Sequence, residues 1–493
     1  SGPVQSWDKG GANYNMSISS DMGTITFGDQ IASANDYMDN SVQNGSLFVA
    51  IYGEKFDGHD FIKKAVENGA SAIISNGRDI GELPVPNIKV ANPRLAASKI
   101  AAEYYGHPSK KLKVIGITGT NGKTTTASIV YNILKADGIK CAQLGTLGVI
   151  ADDFISEKTL TTPDPIKLHK TFKDFLNKGF THIVMEVSSH ALDQMRVADI
   201  EFDIASFTNL SPEHLDYHKT MEDYFHAKTK LFHGLSITST SIINYDDKMG
   251  KLIAKESKAP VISVSKKGAS DIYFSDLKHD LNGIKGKISA GDKVIEIDSA
   301  LIGEFNVENI LCAVGITNSI GIKKEIISSG IKNSFVVPGR MEVFYKDNGG
   351  TIIVDYAHTP DAYEKVLKTV LEMKPNNGLL NVLFGCGGDR DVLKRPKMGK
   401  IVEKYADKLW IVPDNPRSEL IESINSQIIS GLSFQKHEEF IDRGLALLKA
   451  LDDLGTKDIL LVLGKGREAY QEISGGKIEY ADIEIIEKVI NAN

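Results

Sequence analysis

Ile115-Gly116-Ile117-Thr118-Gly119-Thr120-Asn121-Gly122-Lys123-Thr124-Thr125-Thr126 is the stretch whose reading decides the fold. Residues 112–117 are short, apolar and β-branched, the pattern of a buried strand. Residues 127–136 space Ile129, Val130, Ile133 and Leu134 as one face of a helix does. Strand, glycine loop and helix gather backbone N–H groups and a helix N-terminus around one point, which favours a polyphosphate. Lys123 is expected on the terminal phosphates and the Thr124 hydroxyl on a magnesium ion. The strict G-x-x-x-x-G-K-[ST] spacing fails, because position 117 is isoleucine and the nearer glycine is Gly119. A Gly-rich turn with a solvated lysine is the bland alternative. ATP binding is the expectation.

A chain of 493 residues exceeds one hydrophobic core and implies about three domains. Its 42% hydrophobic and 25% charged content is that of an ordinary soluble globular protein. A net charge of -7 argues against a general nucleic-acid binder, which would show a basic surplus. No apolar run approaches the ~20 residues that cross a bilayer. Residues 1–30 are polar and Gly/Ser-rich without an apolar core, so no signal peptide is expected there. Cys141, Cys312 and Cys386 are odd in number and widely spaced, which fits a reducing compartment. A cytoplasmic monomer without nucleic-acid or membrane partners is expected.

The chain then divides as 1–107, 108–336 and 337–493. In the first part, 46–51 and 72–74 read as strands, 60–66 and 94–105 as helices, and 106–109 as a linker. In the second, the glycine loop opens an alternation of helix 166–178 with strands 182–187, 200–207, 241–244 and 261–264, as in a parallel sheet. Residues 271–297, with the Asn282-Gly283 turn, read as a β-rich insertion, and a helix follows from Asn306. In the third, the β-runs 351–355, 379–384, 409–412 and 458–463 read as a doubly wound, Rossmann-like domain.

Glu186 ends an apolar strand, where a carboxylate can hold Mg²⁺ for ATP; a capping or surface glutamate is the alternative. His214, Asp216 and His218 alternate, so they could share one side and contact metal or phosphate; hydrogen-bonded structural histidines are the equal alternative. Lys228 taken alone reads as a solvated helix lysine. In the last domain, Gly385-Cys386-Gly387-Gly388-Asp389-Arg390-Asp391, Pro413-Asp414-Asn415-Pro416-Arg417-Ser418-Glu419 and Gly464-Lys465-Gly466-Arg467-Glu468 each follow an apolar β-run. Ligands of open α/β sheets bind beyond the carboxyl ends of strands. Arginines, an aspartate and a glutamate there suit a zwitterion, although each motif alone would be an ordinary turn.

Together these motifs resemble the Mur ligases, from about residue 47 to 470, and most closely those members that add a diamino acid. The residues that carry the resemblance are Thr118 to Thr125, Leu160-Thr161-Thr162-Pro163, Glu186-Val187-Ser188-Ser189-His190 to Arg196, Asn209 to His218 and His226-Ala227-Lys228. Phe305-Asn306-Val307-Glu308-Asn309, Pro338-Gly339-Arg340 and Asp355-Tyr356-Ala357-His358-Thr359-Pro360 match as well, and so does Asp57-Gly58-His59. The resemblance implies a small α/β UDP-binding domain, a central P-loop ATPase-like parallel-sheet domain and a C-terminal amino-acid-binding domain. It implies that Gly119, Thr120, Asn121, Gly122, Lys123, Thr124 and Thr125 hold ATP. Asn306, Asn309, Arg340, Asp355 and His358 would line the nucleotide. Thr124, Glu186, His214 and a carbamylated Lys228 would serve Mg²⁺, with Lys123, Glu186, His214 and Lys228 catalytic. Thr161, Thr162, Ser188 and Arg196 would meet the UDP-linked muramoyl dipeptide. The implied reaction forms an acyl phosphate from a substrate carboxylate, which an amine then captures.

Members that add meso-diaminopimelate carry Asp-Asn-Pro-Arg, which Asp414-Asn415-Pro416-Arg417 matches unchanged. Arg417 and Arg390 can pair with a distal carboxylate, and Glu468 and the Gly464 carbonyl can accept the distal ammonium. Lysine would leave a guanidinium unpaired. The chain departs from the family at Met38-Asp39-Asn40, where Asp-Ser-Arg is usual, and at Tyr480-Ala481-Asp482-Ile483-Glu484, which lacks the usual arginine. Alternatives are a Mur-type ligase for lysine or another acceptor, including pseudomurein ligases, a folylpolyglutamate synthase, a P-loop switch ATPase and a non-catalytic binding protein.

Overall fold

The computed structural model describes residues 42, 44–53, 56–152, 160–280, 282–334, 337–347, 349–433 and 437–491, with the backbone alone of four strands, Val4–Gly10, Asn13–Ser20, Gly23–Phe27 and Ile31–Ser33. Met38-Asp39-Asn40 lies outside these residues.

The first of those four strands pairs with the second and the second with the third, all antiparallel. Ile31–Ser33 opens a parallel sheet that continues through Leu47–Val49, Ala72–Ser75 and Asn87–Lys89. The strand period of two divides its core: Phe48 and Ala50 pack with Ile62 and Ala65 of the helix Ile62–Glu67, whereas Leu47 and Val49 pack with Ala97 of Pro93–Tyr104.

A ten-stranded sheet forms the middle of the molecule. Its order is Gly148–Ile150, Cys141–Gly145, His182–Glu186, Lys113–Thr118, Ile204–Phe207, Thr240–Asn244, Val261–Ser265, Ile272–Asp280, Gly283–Ala290 and Lys293–Ser299. The strands from Cys141–Gly145 to Ile272–Asp280 run parallel, and the last two close the sheet as an antiparallel meander. The β-rich segment 271–297 is thus joined to the central sheet and forms its edge. Ile115 and Ile117 face the helices Lys123–Ala136 and Glu304–Ile320, while Val114 faces Pro165–Asn177. Covered on both faces, these strands read as the near-continuous apolar runs seen in the sequence.

A six-stranded sheet follows, ordered Glu342–Tyr345, Thr351–Asp355, Ile459–Leu463, Leu380–Phe384, Lys408–Ile411 and His437–Glu439. Only the Glu342–Tyr345 edge is antiparallel. Helices Pro360–Met373 and Lys394–Tyr405 cover one face, Arg443–Asp452 and Asp482–Asn491 the other. A hairpin of Tyr470–Ile473 and Gly476–Glu479 lies between Ile459–Leu463 and the last helix in the chain.

Candidate active site

In the central sheet Glu186 pairs with Ile117, and Phe207 with Thr118, so three neighbouring strands end level. The glycine loop is held between them. Thr120 N donates to Asn209 O (2.8 Å) and Asn121 N to Asn209 Oδ1 (3.0 Å), while Thr208 Oγ1 donates to Asn121 O (2.6 Å). Helix Lys123–Ala136 begins on Gly122, so its N-terminus opens onto the loop. Lys123 Nζ donates to the carbonyls of Gly119 (2.9 Å) and Thr120 (2.8 Å). Burial pushes its pKa down, Arg340 adds to this, and Glu213 and Glu186 oppose it.

Glu186 is fully buried, and its carboxylate accepts from Thr124 Oγ1 (3.0 Å), Thr146 N (2.9 Å) and Thr146 Oγ1 (3.2 Å). Gly145 makes this possible: a Cβ there would lie 2.0 Å from Glu186 Oε1. No group of three or more His, Cys, Asp or Glu side chains able to hold a metal assembles among the described residues. A carboxylate beside a threonine hydroxyl at a phosphate loop nevertheless fits Mg²⁺, which takes one or two protein oxygens and completes its shell from phosphate and water. Thr161 Oγ1 lies 3.2 Å from Thr146 Oγ1, and Thr162 Oγ1 donates to Glu186 O (2.9 Å). Ser188 N donates to Thr162 Oγ1 (3.1 Å), and Arg196 Nη1 to Thr162 O (2.9 Å). Thr161, Thr162, Ser188 and Arg196 thus form one wall with Glu186.

Of His214, Asp216 and His218, the two histidines share a side and Asp216 does not: both rings pack on His190 and Tyr224. His214 takes a left-handed conformation (φ 56°) at the start of the short helix Leu215–His218, whose one-turn spacing brings the histidines together and turns Asp216 outward. His214 lines the cavity, with Nε2 3.8 Å from Glu213 and its ring against His190. Although 43% of the side chain is exposed, desolvation within the cavity lowers its pKa against the pull of Glu213. Asp216 is exposed, and His218 is buried with Nε2 2.9 Å from Ser189 Oγ. Lys228 is no solvated lysine: it is 1% exposed, donates to Gly119 O (2.9 Å) and stands over the Tyr224 ring. Burial and Lys123 hold its pKa well below the ordinary value.

Residues of the last sheet complete the same cavity, whose volume is about 450 Å³. Thr120, Asn121, Gly122, Lys123, Thr124 and Thr125 line it together with Glu186, His214, Asn306, Asn309, Arg340, Asp355 and His358. Gly119, Thr162, Arg196 and Lys228 stand behind this lining. Asn309 Nδ2 donates to Asn306 Oδ1 (2.8 Å) on one helix. Asp355 accepts from Met341 N (2.8 Å) and Ala357 N (2.7 Å); burial raises its pKa, and Arg340 opposes that shift. The Arg340 guanidinium lies over the Tyr356 ring. His358 Nε2 is 3.6 Å from Glu213 Oε1. Burial favours the neutral acid of Glu213, but His358, His214 and Lys123 hold its pKa well below the carboxylate range.

The three C-terminal motifs meet at the ends of Leu380–Phe384, Lys408–Ile411 and Ile459–Leu463, but their charges are not as free as the sequence suggests. Arg417 Nε pairs with Glu472 Oε2 (2.7 Å). Glu468 pairs with the ammonium of the buried Lys465 (2.9 Å), which also donates to Asn415 Oδ1 (3.1 Å). Asn415 Nδ2 and the Tyr356 hydroxyl complete the shell of Glu468, whose pKa burial would raise but Lys465 brings below its ordinary value. Arg390 is exposed and makes no ion pair among the described residues. Asp414 is buried beside Gly464; burial raises its pKa against Arg443 and Lys465.

Sequence reasoning missed Glu213, Thr146, Tyr356, Lys465 and Glu472 as site residues. Glu213, Tyr356 and Lys465 stand inside quoted motifs, and a polar side chain directly beside a chosen residue was the signal available. Thr146 and Glu472 lie outside every motif and carry no local signal.

Residues 40–105 match the Mur ligase family catalytic domain, 117–317 the Mur ligase middle domain and 339–466 the Mur ligase glutamate ligase domain. The chain is 42% identical over 454 residues to a UDP-N-acetylmuramoyl-L-alanyl-D-glutamate–2,6-diaminopimelate ligase of Aquifex aeolicus, covering 92% of each chain. An enzyme of the same name from Geobacter sulfurreducens is 38% identical, with 90% of this chain and 91% of the relative covered. A solved structure of a ligase of that name superimposes with a TM-score of 0.66 at 30% identity, covering 94% of both chains. The MurF ligase of Thermotoga maritima in complex with ADP shares the fold, with a TM-score of 0.61 at 21% identity over 86% of this chain and 92% of that one.

Proposed function

The chain belongs to the Mur ligase family, and from that premise we propose that it is the ATP-dependent ligase joining 2,6-diaminopimelate to UDP-N-acetylmuramoyl-L-alanyl-D-glutamate in peptidoglycan precursor synthesis. The observation that carries this reading is one cavity lined by the glycine loop together with Arg340 and Asp355 to His358, so that a nucleotide would lie between the central sheet and the amino-acid sheet. The use of ATP is supported by the ADP bound in a MurF relative.

In the reaction, the acceptor carboxylate attacks the γ-phosphorus, the bond to ADP breaks and an acyl phosphate forms. The diaminopimelate amine then attacks the acyl carbon, loses a proton and displaces inorganic phosphate. The N-terminus of helix Lys123–Ala136, already open onto the loop, would stabilise the phosphate charge, and Lys123 Nζ would turn to it from the Gly119 and Thr120 carbonyls. Thr124, Glu186 and His214, with Lys228 as its carbamate, would hold Mg²⁺, which when bound offsets the negative charge between nucleotide and carboxylate. A buried Lys228 with a depressed pKa is the neutral amine that CO₂ requires.

Asn306, Asn309, Arg340, Asp355 and His358 would contact the nucleotide, and Thr161, Thr162, Ser188 and Arg196 the muramoyl dipeptide. Arg390, Asp414, Asn415, Arg417, Gly464 and Glu468 would receive the amino acid as its meso isomer. The ranges 1–107, 108–336 and 337–493 would be the UDP, ATP and amino-acid domains. The protein would act in the cytoplasm as a monomer without nucleic-acid or membrane partners. Three buried free cysteines support a reducing compartment, and no helix among the described residues is long and apolar enough to cross a membrane. Measuring ADP release tests the function: release should need both the UDP-linked dipeptide and diaminopimelate. Turnover without the amine, or a preference for lysine, would overturn it.

A further inference from the structure

We propose that Glu472, on the hairpin strand Tyr470–Ile473, governs amino-acid selectivity as a positioning residue: it clamps the 414–417 turn and aims the Arg417 guanidinium at the substrate's distal carboxylate. The inference rests on the diaminopimelate reading above.

Arg417 has φ 53°, a left-handed conformation that a non-glycine residue holds only under constraint. Glu472 supplies the constraint through its backbone and its side chain together. Arg417 N donates to Glu472 O (2.9 Å), and Glu472 N donates to Asn415 Oδ1 (2.9 Å). Arg417 Nε donates to Glu472 Oε2 (2.7 Å), and Arg417 Nη1 to Gly388 O (2.7 Å). A planar guanidinium fixed at Nε and Nη1 has its plane fixed, which leaves Nη2 and the second Nη1 hydrogen for a ligand. Gly387 leaves room for it, since a Cβ there would lie 3.0 Å from Arg417 Nη1.

The pair differs from the structural ion pair next to it. Arg395 is fully buried and turns its Nη1 and Nη2 donors onto Glu419, Gln427 and Gly387 O. The Arg417 and Glu472 side chains are 24% and 26% exposed, so a ligand can reach them. Lys477 Nζ lies 3.6 Å from Glu472 Oε1 and partly offsets the carboxylate, so Glu472 orients Arg417 without cancelling its attraction. With lysine bound, Arg417 keeps Glu472 and is never left unpaired, so lysine is refused because it gains nothing from a guanidinium already aimed. Aim is therefore the quantity that Glu472 controls.

The test compares the wild type with Glu472→Ala, Glu472→Gln, Arg417→Ala and the double alanine variant in the complete reaction with ATP, Mg²⁺ and UDP-linked dipeptide. Glu472→Ala should raise KM for diaminopimelate roughly tenfold while KM for ATP and for the dipeptide stays unchanged. Glu472→Gln keeps an acceptor for Nε and should restore KM to within about threefold. The double variant should be no worse than Arg417→Ala, because both act through one guanidinium. An unchanged KM in Glu472→Ala, equal losses for all three substrates, or additive effects would overturn the proposal. A wild-type enzyme inactive with diaminopimelate would instead overturn the functional reading, and this inference with it.

Discussion

Asn121 Nδ2 donates to Asp361 Oδ2 across 3.2 Å, and this bond joins the glycine loop of the central sheet to the helix Pro360–Met373 of the last one. Among the described residues, the hydrogen-bond and ion-pair contacts between the two sheets' units at this cavity include one other, His358 with Glu213 at 3.6 Å. Two units held at their shared cavity by so few bonds should open readily. Asp361→Ala removes a bond worth about 1 kcal/mol, so the closed population should fall several-fold. KM for ATP should rise accordingly, and small-angle scattering should show a more open particle. Unchanged values on both counts would contradict the role of this bond.

Gly145 faces the Glu186 carboxylate so closely that a methyl group has no room, with 2.0 Å to Oε1 and 2.6 Å to the carboxyl carbon. Gly145→Ala must therefore displace that carboxylate from Thr124 and from Thr146 N. Because Glu186 is the carboxylate assigned to Mg²⁺, the Mg²⁺ concentration needed for half-maximal activity should rise by an order of magnitude or more. A magnesium titration of the variant checks this, with circular dichroism to establish that the fold is kept. An unaltered titration would remove Glu186 from the metal site.

What the sequence made legible was local. The apolar runs and the glycine loop are written in adjacent residues, and the strand and helix they imply around that loop are present. Residues 271–297 were readable as strands, but period two does not name a strand's neighbour, so their place as the edge of the central sheet was hidden. The same limit hid the partners of Arg417 and Glu468. Glu472 lies 55 positions from Arg417 and meets it only because the hairpin folds back over the strand ends. Lys465 stood in plain view, but its burial, which turns its ammonium inward onto Glu468, depends on the whole sheet.

His169 gives the stability a pH dependence whose sign can be worked out. It is fully buried on the helix Pro165–Asn177, with neither ring nitrogen hydrogen-bonded among the described residues. Burial, with a smaller contribution from His107, lowers its pKa from 6.5 to about 4. The unfolded chain therefore binds a proton below pH 6.5 that the folded chain refuses down to about 4. Stability should be flat in this respect above 6.5 and fall by up to about 3 kcal/mol as the pH drops through that window. His218 and His214 act in the same direction, so the wild type alone cannot assign the effect. The difference between wild type and His169→Leu in urea unfolding should shift in favour of the variant as the pH falls from 6.5 to 4. A difference independent of pH would refute the assignment.

Arg443 and Asp482 form an ion pair with both side chains at 0% exposure, in the segment that departs from the family pattern at residues 480–484. Asp482 accepts from Arg443 Nε (2.9 Å) and Nη2 (2.7 Å), and from the Tyr480 hydroxyl (2.7 Å). Arg443 Nη2 also donates to Leu463 O (2.9 Å), the residue before Gly464. The pair thus ties the last helix to the strand end where the amino-acid site is proposed. Asp482→Asn leaves the guanidinium charge buried without a counter-ion, which should cost roughly 3–5 kcal/mol. The same charge removal at Asp298, whose partner Lys332 is 66% exposed, should cost less than about 1 kcal/mol because water screens that pair. Below its melting temperature, Asp482→Asn should raise KM for diaminopimelate before KM for ATP, since Leu463 adjoins the proposed amino-acid pocket and not the glycine loop. Thermal unfolding and substrate titrations check both parts. Equal destabilisation by the two substitutions would mean that the Arg443 charge is solvated after all.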